Sequence, residues 1–220
     1  MKLLVIAPHP DDEVLGAGGT MLRFKQEGFS LAWLVVTSIS NKLGWSLEDV
    51  ARREDEIKKI SQFFKFDKVY NLRLETTKLD TLPISEIIQK ISNIIEDFHP
   101  TDILIPHAGD IHTDHKIVHH AALSSVKWFR HPCVKKVLSY ETISETDFGL
   151  DSNHIFTPNV FIDITSFLNA KVAAMMIYSS EFGAFPFPRS KVSIESLARY
   201  RGSSSGFEAA EAFQLLRERI

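Results

Sequence analysis

The sequence predicts an α/β fold, a Rossmann-like three-layer sandwich whose central sheet is mostly parallel. Three observations support this expectation. Residues 2–7, 31–36 and 103–105 are short continuous apolar runs, as strands buried on both faces require. Between them lie longer segments whose apolar residues recur at helical spacing. The two patterns alternate, and a β-α-β-α rhythm packs as a doubly wound parallel sheet with right-handed crossovers.

Residues 2–7 (KLLVIA) form the first strand, and 13–28 read as a helix with Gly28 as its C′ glycine. Residues 31–36 (LAWLVV) are the second buried strand. The segment 48–64 puts Val50, Ile57, Ile60 and Phe64 on one helical face and charges on the other. Val69-Tyr70 is a short third strand. From 83 to 98 the helical period is cleanest, carried by Ile84, Ile87, Ile88, Ile91, Ile94, Ile95 and Phe98, with Pro83 suited to the first turn. Ile103-Leu104-Ile105 is a further central strand, 113–130 a helix and 135–140 (KKVLSY) a fifth strand. The second half is less regular. Residues 158–163 read as an edge strand and 166–178 as a helix opened by Thr165 or Ser166 as N-cap. The prolines and glycine of Phe182–Pro188 dictate a loop. A last pattern covers 191–200, followed by Gly202–Gly206 and the segment 207–217. There is no repeat, low-complexity tract or linker, so 1–220 reads as one domain.

Composition narrows the function classes. A chain that is 44% hydrophobic and 24% charged can build a core and is not disordered. A formal net charge of −3 lacks the electrostatic footprint of a general nucleic-acid binder. The lone Cys133 cannot form an internal disulfide and points to a reducing compartment. The apolar run at 3–7 stops at Pro8, too short for a signal-peptide core, and no run reaches the roughly 18 residues of a membrane span. The expectation is a cytoplasmic protein, with a homo-oligomer compatible with such a fold.

Two polar clusters fall where such a fold binds ligands. Pro8-His9-Pro10-Asp11-Asp12-Glu13 follows the first strand directly, and Gly109-Asp110-Ile111-His112-Thr113-Asp114-His115 lies shortly after 103–105. Ligands of open α/β sheets bind beyond the carboxyl ends of the strands, where strand order reverses. In the commonest doubly wound order the first and fourth strands flank that crevice, so both clusters should face one cleft. Imidazole and carboxylate groups suit Zn²⁺, and a catalytic zinc site keeps three protein ligands with a fourth position open. A His-Pro-Asp-Asp turn aims His9 and Asp12 at one point and Asp11 elsewhere. His112 and His115 sit three apart near a helix start and share a face. The natural division puts His9, Asp12 and His115 on the metal and leaves Asp11 and His112 for proton transfer. Such a metal lowers the pKa of its water towards about 7 and polarises a substrate carbonyl. Asp11 then accepts the water proton, and His112, oriented by Asp114, stabilises the oxyanion or protonates the leaving group.

The string PHPDDEVLGAGGT with the later GDIHTDH resembles the PIG-L/LmbE family of zinc-dependent N-acetylglucosaminyl deacetylases. The tail LARYRGSSSGFEAAEAF is similar to that family's C-terminal Arg-Gly…Glu-Ala-Phe region, so the resemblance spans nearly the whole chain. It implies zinc ligands at His9, Asp12 and His115, a general base at Asp11, and an electrostatic helper at His112 with Asp114 as partner. Thr113 stands where the family most often has proline, and touches none of these roles. The resemblance also implies substrates that are N-acylated amino sugars or their conjugates, and a substrate-contacting arginine for which Arg53 is the candidate. Glu13 is either a first-turn glutamate favoured by the helix dipole or a substrate contact.

Other features have blander readings. Gly16-Ala17-Gly18-Gly19-Thr20 is not a dinucleotide fingerprint, because Met21 stands where the third glycine belongs and no acid ends the second strand. These small residues instead allow close helix–sheet packing. His119 and His120 are packing or surface residues, whereas His107 and Asp110 lie near the cleft mouth and either support the site residues from behind or take no part in the site. Arg199 and Arg201 either anchor an anionic aglycone or form salt bridges, and Phe182–Pro188 forms a substrate wall or a partner surface. The expected activity is removal of an N-acetyl group from an N-acetylglucosamine-type sugar or glycoconjugate by attack of metal-bound water, with one Zn²⁺ per chain. The same ligands would also bind Fe²⁺. The rivals are an amidase acting on larger sugar-thiol or glycan conjugates, an inactive carbohydrate-binding relative, and a metal-dependent phosphoesterase. Retention of both Asp11 and His112 argues against the binding module, and a single compact ligand set argues against the phosphoesterase.

Overall fold

The computed structural model of the protein describes residues 1–220. Four β-α units open the chain: β1 (Lys2–Ala7) with α1 (Asp12–Gln26), β2 (Ser30–Ser38) with α2 (Leu47–Phe64), β3 (Lys68–Glu75) with α3 (Ile84–Phe98), and β4 (Asp102–Pro106) with α4 (Thr113–Ser125). After them come β5 (Lys136–Tyr140), β6 (Val160–Asp163), α5 (Leu168–Met175), α6 (Lys191–Ser203) and β7 (Ala210–Glu218). The strands form one sheet in the order β3-β2-β1-β4-β5-β7-β6. The first five pair in parallel, and β7 runs antiparallel between β5 and β6. Strand order reverses at β1, which pairs with β2 on one side and β4 on the other. The carboxyl ends of β1 and β4 therefore border a crevice, as the sequence predicts.

Period-two alternation makes the three layers. Leu3, Val5, Leu31, Trp33 and Val35 face the core under α1, α2, α5 and α6. Leu4, Ile6, Ala32, Leu34 and Val36 face the opposite core, packed by Ile87, Ile91 and Ile95 of α3 and Val118 of α4. Both faces of β1 and β2 are dry, which is why their sequences are unbroken apolar runs. No helix is long and apolar enough to cross a membrane.

The glycines of α1 serve packing. A Cβ on Gly16 would lie 2.2 Å from the ring of Tyr140, whose hydroxyl donates to the Ile6 carbonyl at 2.8 Å. Immediately beyond, α1 breaks at Ala17 (φ −145°, ψ 15°). The backbone groups left unpaired near the break find partners in a buried ion pair. Lys171 Nζ donates to the Leu15 carbonyl at 2.8 Å and to Glu211 at 2.6 Å. Glu211 in turn accepts the N–H groups of Gly19 and Thr20 at 2.9 and 2.7 Å. Buried backbone polar groups left unpaired would be costly, so this pair makes the kink sustainable.

Several boundaries differ from expectation. The third strand spans eight residues rather than Val69-Tyr70 alone; as a sheet edge it is half exposed, so its apolar run is interrupted. The helix expected over 113–130 ends at Ser125, and residues 127–131 turn back through N–H groups of Arg130 and His131 donating to the Lys127 carbonyl. Neither Thr165 nor Ser166 caps α5: both lie in a short 3₁₀ turn, and the Thr165 hydroxyl donates to Asp163 at 2.6 Å. Helix α6 continues through Gly202, which lies 2.6 Å (as a built Cβ) from the Phe207 carbonyl, too close for any side chain.

Candidate active site

The turn after β1 is held to β2, because the Pro8 carbonyl accepts both the N–H (3.0 Å) and the hydroxyl (2.8 Å) of Thr37. Asp12 closes the turn by accepting the His9 N–H on Oδ2 at 2.8 Å. Asp11 adopts φ 127°, a conformation rare for any residue with a side chain. Its N–H donates to Glu13 Oε2 at 3.1 Å, and Glu13 Oε1 accepts from the Tyr178 hydroxyl at 2.7 Å. Glu13 is fully buried and does not line the cleft, so it is a holder of the strained Asp11 backbone rather than a substrate contact.

Three imidazoles gather where the β1 and β4 ends meet. The His9 ring lies 4.5 Å from that of His112 and 5.3 Å from that of His115. Each of two histidines is gripped through one nitrogen by its own carboxylate. His115 Nδ1 donates to Asp110 Oδ2 at 2.8 Å, and His9 Nε2 donates to Asp114 Oδ2 at 3.1 Å. These acceptors fix the tautomers and turn the other nitrogens towards Asp12: His115 Nε2 and His9 Nδ1 lie 3.2 and 3.4 Å from its Oδ2. His115 Nε2 is buried and has no hydrogen-bond partner. One donor atom from each of His9, Asp12 and His115 lies within 4.8 Å of the others. Carboxylate-backed imidazoles converging on a third carboxylate are a donor set and outer support able to hold a metal ion. His9, His112 and Asp114 also bring one donor atom each within 4.8 Å of one another, but Asp114 Oδ2 is already engaged by His9 and by the Thr77 N–H at 2.8 Å.

Asp114 is therefore nearer His9 than His112, whose Nδ1 is 4.0 Å from the carboxylate. What orients His112 is the backbone: its Nδ1 accepts the Asp114 N–H at 3.1 Å, making His112 the N-cap of α4. That acceptor role puts the ring hydrogen on Nε2. Burial, reinforced by the positive charge of His9, holds His112 down at about 4, so it is neutral at neutral pH. Burial would likewise lower His9, but hydrogen bonds to Asp114 and Asp12 outweigh it and raise His9 to about 9. Asp12 is pushed up by burial and pulled further down by His115, so it stays well below the usual carboxylate range.

The polar cluster opens into a cleft of about 230 Å³ lined by the apolar side chains Ile39, Trp45, Val50 and Ile57 together with the charged Arg53, Glu181 and Arg189. Arg53 donates to the Pro10 carbonyl at 3.0 Å and pairs with Glu181. Arg189 donates through Nη1 to Asp11 Oδ2 at 2.7 Å and to Glu181 at 2.8 Å, and through Nε to Ser144 Oγ at 2.8 Å. Burial raises Asp11 strongly; Arg189 opposes this and Asp12 adds to it, leaving the carboxyl at about 7.

Arg189, Glu181 and Glu145 were not candidates from the sequence. The only available signal was position, since Glu181 and Arg189 flank the Phe182–Pro188 loop. The aromatic rings of that loop are not part of the cleft wall. Asp110, read from the sequence as lying near the mouth and as a candidate to support the site residues, is the buried partner of His115, and its other oxygen accepts from Thr146 at 2.6 Å. His107 instead engages the His154 carbonyl, and His119 the Pro106 carbonyl, each at 2.8 Å. Arg201 is committed to a two-pronged pair with Glu141 at 2.8 and 2.6 Å, while Arg199 is exposed.

Comparisons with known proteins show the family of the chain. A family model described as PIG-L: GlcNAc-PI de-N-acetylase matches residues 4–126, which include both polar clusters. A diacetylchitobiose deacetylase of Thermococcus kodakarensis is 25% identical over 232 positions, covering 98% of this chain and 83% of that protein. The crystal structure of a conserved protein from Thermus thermophilus superposes with a TM-score of 0.79 at 28% identity, covering 99% of this chain and 96% of that one. The N,N'-diacetylchitobiose deacetylase of Pyrococcus horikoshii shares the fold with a TM-score of 0.79 at 22% identity, over 98% of this chain and 84% of that one. With a match to its model over more than half its length, the chain belongs to the PIG-L family of de-N-acetylases.

Proposed function

We propose that the protein is a zinc-dependent hydrolase that removes the N-acetyl group from an N-acetylglucosamine-type sugar or glycoconjugate. The observation that carries this reading is the pair of carboxylate-held imidazoles turned towards Asp12, beside the strained and perturbed Asp11. His9, Asp12 and His115 would hold the ion. A zinc ion there supplies Lewis-acid activation of water and of the amide carbonyl. Asp11, raised by burial to about 7 despite Arg189, is about half ionised at neutral pH and takes a proton from the attacking water. Neutral His112 donates its Nε2 hydrogen to the carbonyl oxygen as negative charge grows there. When the C–N bond breaks, its electron pair stays on nitrogen, and Asp11 returns the proton to it. The nascent acetic acid loses the water's second proton to solvent, the amine takes one up from solvent, and acetate and an ammonium leave.

The cleft suits a sugar ring, because its lining mixes apolar side chains, Trp45 among them, with charged ones including Arg53. Arg53 is the proposed contact for sugar hydroxyls. The half-buried free thiol of Cys133 is in keeping with a reducing, cytoplasmic setting. The test is a pair of variants. Asp11→Asn should keep stoichiometric zinc and lose turnover by about 10²–10⁴-fold, whereas His115→Ala should lose both. Wild-type turnover in Asp11→Asn at saturating zinc would overturn the base assignment.

A further inference from the structure

Ser144, Glu145 and Thr146 follow β5, and three consecutive side chains of this segment reach the site. Ser144, at φ 74°, accepts from Arg189 Nε at 2.8 Å, and Thr146 donates to Asp110 at 2.6 Å, the carboxylate that grips His115. The backbone is tied on both sides: the Ile111 N–H donates to the Glu145 carbonyl and the Glu145 N–H to the Thr142 carbonyl, each at 3.1 Å. Glu145 lines the cleft with His9, Asp11 and Arg189 and is only 9% exposed. Its Oε1 lies 3.6 Å from Arg189 Nη2, outside hydrogen-bond reach, and its Oε2 is buried with no partner at all. Arg189 Nη1 meanwhile binds Asp11, so one guanidinium sets the two carboxylates side by side.

A buried carboxylate oxygen without a donor is costly, and no surrounding side chain supplies one. The deacetylation reaction does. Its substrate carries an amide N–H at the reacting centre, and its product carries an ammonium at the same place. We propose that Glu145 is the acceptor for the scissile nitrogen, orienting the amide N–H before cleavage and holding the ammonium afterwards. This assignment rests on the deacetylase reading. Glu145 transfers no proton: the exchange between water and nitrogen stays with Asp11, and the additional proton of the ammonium comes from solvent.

The test compares zinc-loaded wild type with Glu145→Gln, which keeps the side-chain shape and removes the charge, and a preserved Tm certifies the fold. Binding of D-glucosamine is measured by calorimetry, with acetate as the control ligand and amine release from an N-acetylglucosamine derivative followed separately. The substitution should weaken D-glucosamine about tenfold, the order expected for one charge-assisted hydrogen bond, and leave acetate unchanged. Equal D-glucosamine affinity in both proteins, or none in the wild type, would overturn the assignment. Amine release combined with Glu145-independent glucosamine binding would sink this inference alone. Glu145-dependent binding without amine release would keep the amine site and sink the deacetylase reading.

Discussion

Replacing Arg189 with methionine perturbs the proposed base without touching any proposed metal ligand. Arg189 Nη1 lies 2.7 Å from Asp11 Oδ2, and Asp11 is 3% exposed. Two unit charges about 4 Å apart attract by about 4 kcal/mol at an effective dielectric constant near 20. Glu181 shares the same guanidinium nitrogen, so Asp11 receives only part of that. An adjacent arginine typically lowers an aspartate by about one to three pKa units, and removing Arg189 should raise Asp11 by a comparable amount. Asp11 starts at about 7. The base works when ionised, so the acid limb of kcat/KM should move upward in pH. For a shift of about one unit, the ionised fraction at pH 7 falls from about one half to one tenth, a loss of about fivefold. At higher pH the variant should climb back towards the wild-type plateau. The assay is a pH profile of amine release for both proteins at matched zinc content. An unmoved acid midpoint, or a loss uniform across pH, would refute the idea that Arg189 sets the protonation of Asp11.

Further expectations follow from particular contacts. Asp110→Asn should weaken zinc by about 10–100-fold in a chelator competition, because Asp110 fixes the His115 tautomer; unchanged affinity would remove it from the metal's support. Gly16→Ala should destabilise the fold by about 1–3 kcal/mol in denaturant unfolding, since the new methyl would meet the Tyr140 ring; a neutral change would mean that α1 shifts freely.

Much of this architecture is legible in the sequence, for physical reasons that also explain the gaps. Strands β1, β2 and β4 announce themselves because burial on both faces demands unbroken apolar runs, and α3 does so because its isoleucines line a single buried face. Edge strand β3 alternates exposed and half-buried residues, so only a fragment of it stands out. Strand β7 pairs antiparallel between β5 and β6, a long-range insertion that no local pattern encodes.

The site divides the same way. His9, Asp11, Asp12, His112 and His115 are visible because two short motifs sit at adjacent strand ends. Arg189 is 178 residues from Asp11 in sequence, and nothing local distinguishes it from a surface arginine. Proximity in sequence favours His112 as the partner of Asp114, whereas the fold brings its carboxylate to His9, 105 residues away. Glu13 looks available in the motif, yet Tyr178 and the Asp11 backbone occupy it.

If this site hydrolyses the N-acetyl amide with the help of a bound zinc ion, amine release must depend on that ion. The most direct measurement is amine release from a panel of N-acetylglucosamine derivatives, with metal-stripped protein and again after stoichiometric zinc is restored. Release that is absent from the stripped protein and returns with one zinc per chain is the predicted result, and the ranking of derivatives would name the favoured aglycone. No release from any member, with zinc confirmed at the site, would contradict the account.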